Sequence, residues 1–83
     1  MKIFYTKHAE EKLKRSDIKK FGIGKMLIEK ILKHPERRTK TKYKDMAVVS
    51  KLTEKHSLRI IYDIIDKNIK VITFHIHKTG RYI

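Results

Sequence analysis

The chain contains no cysteine, a single proline and only three glycines. The absence of cysteine excludes a disulfide framework and thiolate chemistry, and it is typical of proteins in a reducing compartment. No apolar run approaches the roughly 18 residues of a membrane span. The N-terminal residues also lack the apolar stretch of a signal peptide. We therefore expect a soluble protein that stays in the cytoplasm and does not contact a membrane.

Acidic residues are scarce. Nine Asp and Glu stand against 22 Lys and Arg, which gives a formal charge of +13 at pH 7. Such a charge on a small body attracts polyanions within a Debye length of roughly 8–10 Å. RNA or the ribosome is therefore the expected partner, whereas an anionic membrane is disfavoured because the basic residues are spread along the chain. The alternative is a thermophile's charged surface, although such surfaces usually balance Lys with Glu.

The hydrophobic pattern predicts one domain over residues 1–83. A short strand at 3–5 precedes a helix over 7–15 capped by Thr6, and a second helix over 23–34 ends at Pro35. Three strands follow at 46–52, 58–65 and 70–77. Because the strands are segregated from the helices, we predict an α+β fold with two helices packed on an antiparallel β-meander.

The last strand alternates strictly between apolar and largely polar residues. Ile72, Phe74 and Ile76 are predicted to face the core, while the residues between them, including His75 and His77, form an open face. If the final hairpin pairs residue 66 with residue 70, Tyr62 lies opposite Phe74 and Arg59 lies opposite His77. The open face then carries a cluster of arginine and histidine side chains.

This cluster has the side chains that metal-independent RNA cleavage requires. Attack of a ribose 2′-OH on the adjacent phosphate needs a base, an acid and cations for the phosphoryl oxygens. Either histidine serves a proton role and the arginines hold the phosphate, while a tyrosine stacks on a base or donates a proton. No cofactor or metal is expected. The candidate catalytic residues are His75, His77, Arg59, Arg81 and Tyr82.

Simpler interpretations of these residues stay open. The two histidines are equally well explained as half-exposed sheet residues, and Arg59 as a partner of Asp63. A metal site would need a further ligand, for which Asp63 is the nearest carboxylate.

The polar connector over residues 35–45 is a second candidate site. Basic residues around a tyrosine are suited to gripping phosphates and stacking a base, although a solvated loop is an equally good interpretation. His8, at the start of the first helix, is either a capping or packing residue or a side chain that faces the candidate RNA-binding cleft. The candidate nucleic-acid-binding residues are Arg37, Arg38, Lys40, Lys42, Tyr43, Lys44 and His8.

Several short motifs carry a family resemblance. Thr6-Lys7-His8-Ala9, the helix end Lys33-His34-Pro35-Glu36, the three-stranded meander and Gly80-Arg81-Tyr82 resemble a family of small uncharacterised Thr-x-His-Ala domains grouped with the RelE/ParE toxin superfamily. The family usually has arginines where this chain has Lys12 and Ser16. The resemblance implies two helices on an antiparallel sheet, with functional residues on its concave face and at its C-terminal end.

The resemblance also implies a function. RelE-like toxins are endoribonucleases that cleave mRNA on the ribosome without a metal and are held inactive by an acidic antitoxin, whereas ParE-like relatives act on gyrase. Two hypotheses follow: a RelE-like ribonuclease, or a non-catalytic basic module or ParE-like toxin that binds nucleic acid, ribosomes or a protein. The sequence leaves open whether the chain forms a homodimer through an open sheet edge.

Overall fold

The computed structural model describes residues 2–34 and 45–80 and the backbone of residues 37–40. The fold is α+β, as the sequence predicts. In chain order the elements are β1 (Ile3–Tyr5), α1 (Lys7–Lys12), α2 (Ser16–Lys20), α3 (Lys25–Lys33), β2 (Arg37–Lys40), β3 (Met46–Lys51), β4 (His56–Ile65) and β5 (Asn68–Lys78). Within the described ranges, no helix is long and apolar enough to cross a membrane.

The strands form one mixed sheet in the order β1-β5-β4-β3-β2. The predicted antiparallel meander is present as β3, β4 and β5. The sheet is not wholly antiparallel, however, because β1 pairs with β5 in parallel. Backbone hydrogen bonds join the two strands: Thr6 N–H donates to the Val71 carbonyl at 3.0 Å and Ile69 N–H to the Lys2 carbonyl at 2.9 Å. The first strand therefore forms one edge of the sheet.

The helix predicted over 7–15 ends early, at Lys12, and a short helix that was not predicted follows it at Ser16–Lys20, so the structure has three helices in place of the expected two. α1 ends at Lys12, Arg15 is extended (φ −70°, ψ 140°), and α2 begins at Ser16. Ile18 follows Ala9 by nine positions, so in one continuous helix it would lie about 180° away from Ala9. The break between α1 and α2 lets both residues reach the core, where Ala9 and Ile18 are buried.

The core lies between the three helices and one face of the sheet. The Thr6 side chain caps α1 by accepting the Ala9 N–H. The buried residues of α3 pack against the same core. The helices contribute Ala9, Ile18, Ile28, Ile31 and Leu32, and the sheet contributes Val48, Leu58, Ile60, Tyr62, Ile69, Val71 and Phe74. The removal of these apolar side chains from water is the main contribution to the stability of the fold.

The predicted register of the last hairpin is wrong. The turn contains only Asp66 and Lys67, both with positive φ (48° and 67°), and this primed geometry matches the twist of paired strands. Tyr62 consequently pairs with Val71, while beyond an irregularity Ile61 pairs with Thr73. Ile72 is thus the extra residue of a β-bulge, so Val71 faces the core and Ile72 does not take the predicted place there.

The prediction that residues 35–45 form only a connector is also wrong in part. Residues 37–40 form β2, an antiparallel edge strand in which Arg37 lies opposite Val49 and Lys40 opposite Met46. No apolar alternation marks this segment, so its strand conformation follows from backbone pairing with the edge of β3. The side chains of Arg37, Arg38 and Lys40, and the whole of Lys42, Tyr43 and Lys44, lie outside the described residues.

Candidate functional site

The sheet face that points away from the helices carries the predicted catalytic residues of β4 and β5. We call this the far face and define it by Ser57, Arg59 and Ile61 on β4 and by Thr73, His75 and His77 on β5. Each residue has a partner directly across the two strands: Arg59 with His75, Ser57 with His77, and Ile61 with Thr73. The predicted pairing of Arg59 with His77 is therefore wrong.

The bulge and the short turn explain the difference in pairing. Together they shift β5 by two positions relative to the predicted register, which keeps the histidines on the far face but moves them along β4. Directly opposed residues in an antiparallel pair have Cβ atoms about 4.5–5.5 Å apart. Arg59 and His75 are consequently closer to each other than the sequence predicted.

The two histidines lie side by side with a defined geometry. Their ring centroids are 6.2 Å apart and the ring planes make an angle of 59°. His77 Nδ1 lies 2.8 Å from the backbone carbonyl oxygen of Lys78. Because a carbonyl only accepts, Nδ1 carries the proton in this hydrogen bond, and in the neutral ring Nε2 is then the acceptor. Next to this ring, the Ser57 and Thr79 hydroxyls are 3.0 Å apart.

The far face is less open than the sequence suggested. His77 is only 5% exposed, and the Nε2 atoms of both histidines and the Nε atom of Arg59 are buried. Arg59 and His75 as whole residues are half-buried. The expectation of two exposed imidazoles is therefore wrong for His77, and the accessible parts of the site belong to Arg59 and His75.

The remaining predicted site residues are separated from this pair or lie outside the described residues. Arg81 and Tyr82 belong to the second group. His8 is exposed on α1, on the helix side of the sheet. Asp63 lies opposite Lys70, and its carboxylate accepts the Ile64 N–H at 2.9 Å. In the described part of the chain, no three His, Cys, Asp or Glu side chains are grouped so that they could hold a metal ion.

A basic hollow on α1 was not predicted from the sequence. It has a volume of about 230 Å³ and is lined by His8, Glu11, Lys12 and Arg15. Burial and, after it, the nearby Arg15 guanidinium lower the pKa of Lys12 below its ordinary value. The signal in the sequence is the spacing of His8 and Lys12, which are four residues apart and share a face of α1, while Arg15 follows the end of that helix.

Comparison of the chain with protein-family models, curated proteins and solved structures found no match. The case for a function therefore depends on the charge, geometry and burial of the residues described above.

Proposed function

We propose that this protein is a RelE-like toxin, an endoribonuclease of the cytoplasm that cleaves mRNA at the ribosome without a metal and is restrained by an acidic antitoxin. The observation that carries the proposal is the direct opposition of Arg59 and His75 on one face of the sheet. A permanent cation beside an imidazole, which can take up or give a proton, is the pair that phosphodiester cleavage needs.

In the proposed reaction, His75 removes the proton from a ribose 2′-OH, and the 2′-oxygen attacks the adjacent phosphorus. The bond from phosphorus to the 5′-oxygen breaks, which leaves a 2′,3′-cyclic phosphate and a 5′-hydroxyl that takes up a proton from the general acid. Arg59 holds the phosphoryl oxygens as their negative charge grows. Tyr82 is the proposed acid and Arg81 a second cation.

His77 is a positioning residue in this mechanism. Its Nδ1–H is held by the Lys78 carbonyl, and its ring packs 6.2 Å from the ring of His75. A buried, hydrogen-bonded ring limits the rotamers open to its neighbour, so His77 is assigned the orientation of His75 and not contact with RNA.

The surface charge supports an RNA partner. Two of the few acidic side chains are already neutralised by ion pairs, Glu10 with Lys25 at 2.7 Å and Asp17 with Arg15 at 3.0 Å. They therefore do little to repel an RNA backbone. Exposed lysines occur in or next to most helices and strands of the described part of the chain: Lys2, Lys7, Lys14, Lys19, Lys20, Lys25, Lys30, Lys33, Lys51, Lys55, Lys67, Lys70 and Lys78. So many exposed cations attract a phosphate backbone and make binding strongly dependent on salt.

A non-catalytic RNA-binding or ribosome-binding module is the second candidate. The burial of His77 and of the His75 Nε2 atom favours it, because a general base must come within about 3 Å of the proton that it removes. In this alternative, Arg59 and His75 contribute to the structure of the sheet and the exposed lysines bind RNA.

The two candidates are distinguished by incubating the protein with free RNA in EDTA, and with mRNA on translating ribosomes in a buffer that contains Mg²⁺. We expect cleavage on ribosomes, with 2′,3′-cyclic phosphate ends. His75→Ala and Arg59→Ala should each lower the cleavage rate by about 10²-fold or more. Lys55→Ala, which removes an exposed charge in the connection between β3 and β4, is the matched control and should retain the wild-type rate.

Intact mRNA with salt-sensitive binding by the wild-type protein would reject the nuclease and support the module. Circular dichroism of each variant separates a lost activity from a lost fold. Equal cleavage by wild type and both alanine variants would place the chemistry elsewhere on the protein and contradict the assignment of Arg59 and His75.

A further inference from the structure

The hollow on α1 brings two cations together at the protein surface. Lys12 and Arg15 line it along with His8, and Glu11 supplies the one carboxylate of its wall. Arg15 already shares its guanidinium with Asp17, through Nε at 3.1 Å and Nη2 at 3.0 Å. The two cations repel each other across the hollow, so an anion placed between them would relieve this repulsion.

The Lys12 side chain is restrained by a contact with a core residue. Its Nζ atom lies 5.6 Å from the centroid of the Phe74 ring, and Phe74 is fully buried. An ammonium over an aromatic face is attracted to the ring, and this contact restricts the long side chain. A restrained cation loses less conformational entropy when it binds an anion than a free surface lysine does.

We propose that this hollow binds one phosphate group of the RNA backbone, with Lys12 as the principal ligand and His8 and Arg15 as its neighbours. The volume of about 230 Å³ is sufficient for a phosphate group. This inference rests on the proposed function, because it adds a second RNA contact to the Arg59–His75 pair.

The topology connects the hollow to that pair. Phe74 points to the core beneath Lys12, and the next residue, His75, lies on the far face of the same strand. β1 covers β5 only from Ile69 to Val71, so no other strand of the described residues borders β5 beyond that point. An RNA strand that crosses this edge of β5 reaches both sites.

The test measures binding of a 2′-O-methyl hexanucleotide, which lacks the nucleophile and cannot be cleaved. Lys12→Gln removes the charge but keeps most of the stem over Phe74. We expect it to weaken binding about fivefold and to reduce the slope of log K against log salt by about 0.7, as for one lost phosphate contact on a single strand. Lys12→Arg should restore both quantities.

Lys20→Gln is the matched control, because it makes the same change at an exposed position of the neighbouring helix. It should change affinity by less than about twofold, in line with the small effect of an isolated surface charge. In ¹H–¹⁵N spectra, inorganic phosphate and the hexanucleotide should both shift the amides of residues 8–15 in wild type and not in Lys12→Gln.

Equal effects of Lys12→Gln and Lys20→Gln on affinity and salt slope would overturn the proposal. Shifts at residues 8–15 with inorganic phosphate but not with the hexanucleotide would also overturn it, because the hollow would then take free phosphate only. Since the probe cannot be cleaved, an inactive nuclease would leave this result unaffected, and the two proposals can fail separately.

Discussion

The hydroxyl of Thr6 connects the start of helix α1 to Ile72, the bulged residue of β5. Its oxygen accepts the Ala9 N–H at 3.1 Å, and its O–H donates to the Ile72 carbonyl at 2.7 Å. One side chain therefore caps a helix and satisfies a carbonyl at the point where the ladder between β4 and β5 is interrupted. Beyond that point, β5 places Phe74 in the core and His75 on the far face.

Replacing Thr6 should measure the strength of this connection. Thr6→Ala loses both hydrogen bonds, so we expect the free energy of unfolding to fall by about 1–2 kcal/mol. Thr6→Ser keeps the hydroxyl and should lose less than about 0.5 kcal/mol. Urea denaturation of the three proteins gives both values. Equal losses in the two variants would mean that the methyl group, and not the hydroxyl, stabilises this junction.

Tyr5 should make the protein sensitive to alkaline pH. Its hydroxyl donates to Glu29 Oε2 at 2.9 Å, and burial followed by this bond raises the pKa of Tyr5 far above its usual value. The folded state then keeps a proton that the unfolded state loses near pH 10. The stability from this group is therefore complete below about pH 10 and declines as the pH rises further.

Tyr5→Phe removes the titrating group, so its free energy of unfolding should decline less steeply than that of wild type between about pH 9.5 and 11.5. Glu10, Glu29 and Lys25, whose Nζ lies 4.9 Å from the Tyr5 ring centroid, are unchanged in this comparison. Denaturation series over this range supply the slopes. Parallel slopes for the two proteins would contradict the assignment of the alkaline loss to Tyr5.

The turn of the last hairpin contains a strained backbone conformation at Lys67 that a glycine substitution would relieve. Lys67 has φ 67°, a left-handed conformation that costs an ordinary residue roughly 1 kcal/mol and that glycine adopts freely. Relief of the strain stabilises the folded state, whereas the entropy that glycine adds to the unfolded chain offsets part of this gain. We expect Lys67→Gly to raise the free energy of unfolding by a net amount of about 0.5 kcal/mol. Thermal denaturation measures this gain.

Lys55→Gly provides the control for that substitution, because Lys55 is an exposed lysine of another turn and does not have a positive φ. It should be neutral or destabilising, since glycine only adds entropy to the unfolded state there. A gain at position 55 as large as at position 67 would trace the effect to lost charge repulsion and not to backbone conformation.

Phe74 and Phe4 allow one substitution to be compared at a buried and an exposed site. Phe74 is 0% exposed and Phe4 is 50% exposed. Phe74→Leu should cost about 1–2 kcal/mol because it leaves a cavity under α1, whereas Phe4→Leu should cost less than about 0.5 kcal/mol. Chemical denaturation of both variants tests the order. The reverse order would show that Phe74 is not central to the core.

The α+β class and the three meander strands could be predicted from the sequence because their residues alternate with period two over long stretches. The apolar stripe of α3 was predictable for the same kind of reason, with the period of a helix. The presence of Arg59, His75 and His77 on one face was also predictable, because beyond the bulge the register shift is an even number of positions, which leaves these three side chains on the same side.

The sequence by itself determined the charge, the α+β class and the shared face of Arg59, His75 and His77, since these follow from composition and local periodicity. Only the tertiary structure decided that Arg59 lies opposite His75, that His77 is buried and that Lys12 lies over Phe74. These relations depend on a one-residue bulge, a two-residue turn and a break between two helices. Each of them changes which distant residues meet without changing the local pattern, because the gain from core packing outweighs local preference.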